Sequence, residues 1–366
     1  LMLEKGGISS FQMGLMLYPA VLASGFLVLP TLTAQYAQND LWLTGLLAAV
    51  AGVIAVYTAT RLHEFYPGQT IIQYSVEILG KVPGKILGLW IIFYNLHTAG
   101  AITRQYADFV TGNFLFKTPV MVIMVTLMFL CTIAVRGGVE VLARSNVLFF
   151  PVFIFPIFFM LLLIPDLDPK AILPVLSHGL TPVLKGSFSM MGWLSEFFLM
   201  SFLLPSVTDP QKGRKWGYIS LVIIVLLLTY SNLMALFLLG PDLGNKLYPL
   251  LVVFRYVSIG TFLENLEAFL LGMWVVGHFL QISLYVYAAT LSITQYFRVA
   301  DYRSVVFPIG LFCLVLGIWD LPNFSVFAYW IKTAVPFHIM TTYLLMPLFL
   351  LFVAVLRRRK KKHEHN

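Results

Sequence analysis

The sequence predicts an all-α integral membrane protein of about ten transmembrane helices. Three observations carry that prediction. Of 366 residues, 59% are apolar and only 11% charged, against about 45–50% and about 25% in soluble domains. Mean hydropathy is +0.87, which leaves too little polar surface to coat a water-soluble globule. The apolar residues gather into ten runs, most of them near the ~20 residues that cross ~30 Å of hydrocarbon as helix. Barrel strands would be about ten residues long and would alternate in polarity; these runs do not. No backbone donor can go unpaired in lipid, so helix is the remaining choice. This composition excludes a cytosolic enzyme, a disordered chain and a disulfide-stapled secreted domain.

The first run, 11–34, contains Pro19 and Pro30 and is followed by no small-residue cleavage site, so it reads as a span and not a signal peptide. Span 2 covers 41–60. Residues 68–80 then carry apolar side chains at helical spacing and read as a helix lying on the inner surface. Span 3, 86–115, is long and carries a polar stripe. Spans 4 and 5 cover 118–135 and 147–165, span 6 covers 187–207 and span 7 covers 216–239. Residues 247–263 are apolar but interrupted by Arg255, which suits an external surface helix. Spans 8, 9 and 10 cover 266–297, 305–321 and 333–356. Cys131 and Cys313 sit in apolar runs without metal-ligand spacing and read as small buried hydrophobes. The net charge of +8 is concentrated in a tail, residues 357–366, that holds Arg357, Arg358, Arg359, Lys360, Lys361 and Lys362. Such a run after a span suits an anionic lipid leaflet and not nucleic acid.

Basic residues set the orientation. With the N-terminus inside, seventeen fall in cytoplasmic segments and six in external loops. Both termini are therefore expected in the cytoplasm. Residues 1–366 read as one transmembrane domain divided 5+5 into inverted repeats, about 8–165 and 185–356. Spans 1 and 6 would then be partners. Both carry helix-weakening residues in mid-run: Ala23-Ser24-Gly25 and Pro30 in span 1, Gly192 to Glu196 and Pro205 in span 6.

Four motifs, in order along nearly the whole chain, resemble those of the spore germination permease family, the B subunits of GerA-type nutrient germinant receptors. They are Leu29-Pro30 followed by Asn39-Asp40-Leu41-Trp42-Leu43; Tyr66-Pro67-Gly68-Gln69-Thr70 with Ile78-Leu79-Gly80-Lys81; Leu173-Pro174-Val175-Leu176 with Gly179; and Arg255-Tyr256-Val257-Ser258-Ile259 with Phe262-Leu263-Glu264-Asn265-Leu266-Glu267. A basic residue is more usual in the family where Asn265 stands. The resemblance implies the amino acid–polyamine–organocation transporter superfamily and a ten-helix fold like the bacterial leucine transporter. It also implies sensing of small nutrients, typically amino acids, in the inner membrane of a bacterial endospore, beside a larger A subunit and a lipoprotein C subunit.

Five charged residues lie inside the spans: Arg104, Asp108, Glu196, Glu267 and Asp320. Ionisable groups in the membrane are costly, so each is a functional candidate. Arg104 and Asp108 are four apart on one helix face and suit either mutual neutralisation or a gate. Glu267 opens span 8 and suits a helix N-terminus. Span 3 presents Tyr94, Thr98, Ala101, Gln105 and Asp108 along one stripe, with His97 beside it. Span 8 presents Trp274, His278, Gln281 and Tyr285. If span 1 opens near Ala23, Ser24 and Gly25, its freed N–H groups suit a carboxylate. If span 6 opens near Gly192, its carbonyls and Glu196 suit an ammonium, with Trp193 and Ser195 alongside. One amino-acid zwitterion would bridge the two breaks, with Thr98, His278 and Gln281 on the facing helices. Glu196 can also carry a proton, so Glu196, Arg104 and Asp108 are the candidates for a gate or proton relay. No cofactor and no metal is expected, and no nucleophile or nucleotide motif suggests an enzyme. The readings in competition are a nutrient-binding receptor subunit, a proton-coupled amino-acid transporter and a ligand-opened water or ion pathway.

Overall fold

The computed structural model describes residues 6–256 and 267–363. Ser9 caps the first helix: its hydroxyl accepts the N–H of Gln12 at 3.2 Å, and the Gln12 side chain accepts the N–H of Ser9 at 2.9 Å. That box satisfies two end groups that would otherwise be unpaired. Helix α1, Ser10–Ala37, and α2, Leu41–Phe65, are joined by one tight turn at Gln38–Asp40. The amphipathic α3, Ile71–Leu79, occupies the stretch read as a surface helix. Then come α4, Lys81–Asn113; α5, Val120–Arg136; and α6, Val139–Ile154, which tightens to 3-10 geometry over Phe155–Asp166 where Pro156 and Pro165 interrupt it. Next, α7, Leu180–Ser195, continues through a 3-10 turn at Glu196–Leu199 into α8, Met200–Leu203. Finally come α9, Gly213–Leu239; α10, Pro249–Tyr256; α11, Glu267–Phe297; α12, Val306–Trp319; α13, Phe324–Thr333; α14, Val335–Met340; and α15, Met346–His363.

Helix covers each of the ten apolar runs within the described residues. Among those residues seven stretches are long and apolar enough to cross a membrane; the first, Ser10–Phe65, contains both α1 and α2. The 17-residue α5 and the 14-residue α12 are apolar but shorter. Large apolar side chains stay exposed on the perimeter, among them Val122, Val125 and Phe129 of α5 and Leu311, Phe312 and Val315 of α12. That surface suits lipid and would not suit water. This is a multi-pass membrane fold.

The centre is built by α1, which packs on α7, α9 and α11, while α2 packs on α7 and α9. On the other side α4 packs on α11, α12 and α5. Glycine makes the tightest of these crossings. A Cβ on Gly100 would stand 2.2 Å from the Cys313 carbonyl oxygen and 2.9 Å from the Gly317 nitrogen, so α4 and α12 touch backbone to backbone.

The segment before α1 is strapped to the segment after α8. Ile8 donates to the Ser206 carbonyl at 3.0 Å and accepts from Thr208 N–H at 2.9 Å. Ser10 N–H donates to Asp209 Oδ1 at 2.7 Å, and the Ser10 hydroxyl donates to the Asp209 carbonyl at 2.7 Å. That N–H, with help from Lys212, holds the Asp209 carboxyl below the usual carboxylate range.

Two expectations fail. First, α1 does not open at Ala23, Ser24 and Gly25 but is helical from Ser10 to Ala37. An opened turn there would strand backbone groups in a fully buried segment, and the small side chains serve close packing instead: a Cβ on Gly277 of α11 would stand 3.1 Å from the Ala23 Cβ. Second, α7 runs unbroken through Gly192, whose missing side chain admits Pro336 of α14; a Cβ would meet the Pro336 Cα at 3.0 Å. The irregular turn lies one step later and begins at Glu196. A further irregularity that the sequence reading did not anticipate is the π-helical turn Thr341–Leu345 between α14 and α15. Pro347 explains it: proline has no N–H for the Tyr343 carbonyl, and its ring crowds that carbonyl.

Candidate functional site

A cavity of about 40 Å³ lies among α1, α4, α7, α13 and α14. The stripe on α4 supplies one wall, since Tyr94, His97, Thr98, Ala101, Ile102 and Gln105 recur at helical spacing. From α1 comes Ser24; from the end of α7 come Trp193 and Glu196. The remaining wall is Phe327, Trp330 and Ile331 of α13 with Val335, His338 and Ile339 of α14.

Glu196 is 2% exposed. Its Oε1 accepts from the Tyr285 hydroxyl of α11 at 2.8 Å. Its Oε2 is buried and meets no hydrogen-bond donor among the described residues. Tyr285 belongs to an aromatic cluster. The Tyr343 hydroxyl, on the π turn, donates to Asn95 Oδ1 at 2.5 Å, and the Tyr343 ring meets Tyr94 edge-on at 5.1 Å and Tyr285 stacked at 6.4 Å. A buried carboxylate costs several kcal/mol unless paired. One hydroxyl does not pair it, so the second oxygen calls for a proton or a cation.

Ser24 ties three helices together. Its oxygen accepts from Trp193 Nε1 at 3.1 Å and from Gln281 Nε2 at 2.9 Å, while the same Gln281 nitrogen donates to the Ala20 carbonyl at 2.6 Å. Bonds of this kind contribute about 0.6 kcal/mol each on average, so they orient Trp193 more than they hold the bundle. Gly25 makes room for that indole: a Cβ there would stand 3.5 Å from Trp193 Cδ1 and 3.2 Å from Leu29 Cδ1. Gly25→Leu is therefore expected to displace Trp193 with little loss of protein from the membrane, whereas Gly25→Ala leaves the indole in place. Tryptophan fluorescence of the two variants checks this; a wild-type spectrum from the leucine variant would contradict it.

Further along α4, Arg104 Nε donates to Asp108 at 3.0 and 2.9 Å, and its Nη2 reaches the Pro322 carbonyl at 3.4 Å. The pair thus neutralises itself along one helix face and also touches the α12–α13 connection. His97 Nε2 lies 2.7 Å from Asp320 Oδ2. Among the described residues no cluster of three or more His, Cys, Asp or Glu is placed to hold a metal.

The family model described as "Spore germination protein" matches residues 7–325. This chain belongs to the spore germination protein family. It is 28% identical over 367 residues to spore germination protein KB of Bacillus subtilis (strain 168), covering 98% of each chain. Against spore germination protein A2 of the same organism it is 27% identical, with 96% of each covered. Against spore germination protein XB of Bacillus anthracis the identity is 24%, over 97% of this chain and 99% of that one. Solved structures share the fold at low identity. MhsT in complex with L-phenylalanine superposes with a TM-score of 0.63 at 13% identity, over 96% of this chain and 99% of that one. A Na+-coupled sialic acid symporter in its outward-open state superposes with a TM-score of 0.61 at 12% identity, over 93% and 80%. The fold is thus that of secondary transporters, and membership places the chain among permease-like germination proteins of the bacterial membrane, not among enzymes.

The family motifs hold loops in place. Asp40 accepts the Leu176 N–H at 2.9 and 3.1 Å, and Asn39 Nδ2 donates to the carbonyls of Ile172 and Pro174 at 3.1 and 2.8 Å. Two motifs far apart in sequence thereby form one structure. Thr70 caps α3 and its hydroxyl also donates to Gln295. Arg255 Nε pairs with Glu267 at 2.5 Å, and Asn265 lies outside the described residues.

Of the ten residues expected to bind ligand, Ser24, Thr98, Trp193 and Glu196 line the cavity, and Ala23, Gly25, Gly192, Ser195, His278 and Gln281 do not; Tyr94, His97, Ala101 and Gln105 of the span 3 stripe line it as well. The Ser195 hydroxyl bonds back to the Met191 carbonyl at 2.7 Å. His278 Nδ1 meets the Trp274 carbonyl at 2.8 Å, and its ring packs on Tyr106. The wall from α13 and α14 was missed. Its signal was present in two i, i+3, i+4 triplets, Phe327, Trp330, Ile331 and Val335, His338, Ile339.

Proposed function

We propose that this chain is the nutrient-binding B-type subunit of a spore germinant receptor, and that it binds an amino acid through its ammonium group at Glu196. The observation that carries the reading is the buried Glu196 Oε2, unpartnered among the described residues and beside a cavity walled by Trp193, Tyr94, Trp330 and Thr98. Aromatic faces beside a carboxylate suit an ammonium, and Thr98, Gln105 and Ser24 supply polar contacts for the rest of a small zwitterion. The cavity is small beside ordinary ligand sites of about 300–1,000 Å³, so binding must widen it, and two of its walls adjoin irregular turns, the 3-10 turn that opens at Glu196 and the π turn that follows α14.

The chain is read as ten crossings in the amino acid–polyamine–organocation superfamily, with a 5+5 inverted repeat and both termini cytoplasmic, in the spore inner membrane. Matching packing supports the repeat: α1 lies on α9 as α7 lies on α2, and α4 lies on α12 as α11 lies on α5. Partners are A and C subunits, which membership in the spore germination family supports. The test is a thermal-shift screen of the purified chain with amino acids, simple amines and sugars. Stabilisation by primary-ammonium ligands is expected, and stabilisation by sugars alone would overturn the reading. The same unpartnered oxygen suits a proton-coupled carrier; uptake by the chain reconstituted alone would favour that alternative.

A further inference from the structure

A second, larger space adjoins the cavity. It measures about 620 Å³ and lies between α4, the end of α12, α13 and α14. Tyr94, His97, Trp330 and His338 border both spaces and form the partition between them. The larger one has the volume of an ordinary small-molecule site. Its walls are aromatic: Trp90, Phe93, Trp319 and Trp330 face it with Tyr94. Trp90 is fixed by its Nε1, which donates to Thr342 at 2.9 Å, and His97 is fixed between Phe93, stacked at 5.8 Å, and Trp330, edge-on at 5.2 Å.

One carboxylate stands in this aromatic wall. Asp320 is about half exposed, with its Oδ2 at 2.7 Å from His97 Nε2, and its Oδ1 makes no hydrogen bond to a described residue. No lysine or arginine lines the space. Arg104, which reaches the carbonyl of the lining residue Pro322, is committed to that carbonyl and to Asp108. Rings that present negative faces, beside a carboxylate with a free oxygen and no competing cation, are the surroundings that select an organic cation. His97 and His338 add hydrogen-bonding capacity, and among the described residues they are not placed with Asp320 to hold a metal.

We infer that this crevice is a second binding site, for a primary ammonium group carried on an apolar body, held by Asp320 and the Trp90, Trp319 and Trp330 rings. The site is separate from Glu196 and does not rest on the function proposed for that residue. Two sources carry this chemistry: a free amine or amino acid, and the ethanolamine headgroup of a membrane phospholipid.

The experiment uses the full chain in nanodiscs and radiolabelled phenethylamine, which has the ammonium and an aromatic body but no carboxylate. In phosphatidylglycerol nanodiscs the wild type binds it saturably. Asp320→Asn keeps an acceptor for His97 yet lowers the affinity about tenfold, and Trp319→Leu, at a side chain 80% exposed and free to change without unfolding, lowers it about threefold. Because simple amines also suit Glu196, both variants are compared in the Glu196→Gln background, in which saturable binding persists. Adding phosphatidylethanolamine distinguishes the sources: competition in the wild type identifies the headgroup as an occupant, and undiminished binding identifies free amines. Equal binding by wild type, Asp320→Asn and Trp319→Leu, or no saturable binding, overturns the inference. Loss with Glu196→Gln alone would also overturn it, by placing the amine in the central cavity and leaving the proposal for Glu196 standing.

Discussion

Glu196→Gln is expected to weaken binding of an ammonium-bearing ligand about 30-fold or more, while the protein remains folded and at its normal level in the membrane. The glutamine carbonyl can still accept from the Tyr285 hydroxyl, which stands 2.8 Å from Oε1. The change falls on Oε2, the oxygen with no donor among the described residues. Replacing it by an N–H₂ removes the charge and turns an acceptor into a donor facing a cation. Removing one member of a buried, hydrogen-bonded charge pair costs about 2–5 kcal/mol, and 1.4 kcal/mol is about tenfold in affinity. Glu196 in the ligand-free protein has no charged partner at Oε2, so stability should hold or rise slightly. Equilibrium binding and thermal unfolding on the same preparations check both halves. Unchanged affinity and an unchanged pH profile of binding would show that Glu196 is a packing residue.

Gly100→Ala is expected to have the largest effect on the fold. The added Cβ would meet the Cys313 carbonyl at 2.2 Å and Gly317 at 2.9 Å, and both are backbone atoms that no rotamer change can move. Overpacking a core costs about 1–3 kcal/mol when side chains can yield. Here α12 must shift as a unit, so the loss should reach or pass the upper end of that range. Gly112 is the control. It lies on the same helix with nothing within 4 Å of its Cβ position, and alanine there should gain up to about 1 kcal/mol from helix propensity. Thermal unfolding of the two variants in one detergent checks the contrast. Equal stability would mean that α4 and α12 do not touch as described.

Hydrophobic runs were the most legible part of the sequence, because lipid leaves the backbone no alternative to helix over such lengths. Helix α3 was legible for a related reason, since Ile71, Ile72, Ser75 and Ile78 recur on one buried face. Helix breaks were not legible. Ala23-Ser24-Gly25 and Gly192 weaken a helix, but small residues serve equally to let another helix approach, and only the neighbours, Gly277 and Pro336, decide between the two uses. Glu196 was legible because a lone acid in a span is costly enough to need a reason. Its partner was present in the sequence but unassigned: Tyr285 stood in a stripe whose members point to different places, Trp274 into packing, Gln281 to Ser24 and Tyr285 to Glu196. Of the missed wall, α14 was read as the start of span 10, 333–356, and α13 fell in the loop before it, because a 10-residue amphipathic helix carrying Lys332 is too short and too polar to stand out as a span.

The measurement closest to the central claim is a structure of the full chain saturated with an amino acid that stabilises it. The account predicts density in a widened cavity between α1, α4, α7 and α14, with the ammonium within hydrogen-bonding distance of Glu196 Oε2 and Trp193 against the ligand. Density for the ligand elsewhere, with Glu196 still bonded to Tyr285 and the cavity unchanged, would contradict it.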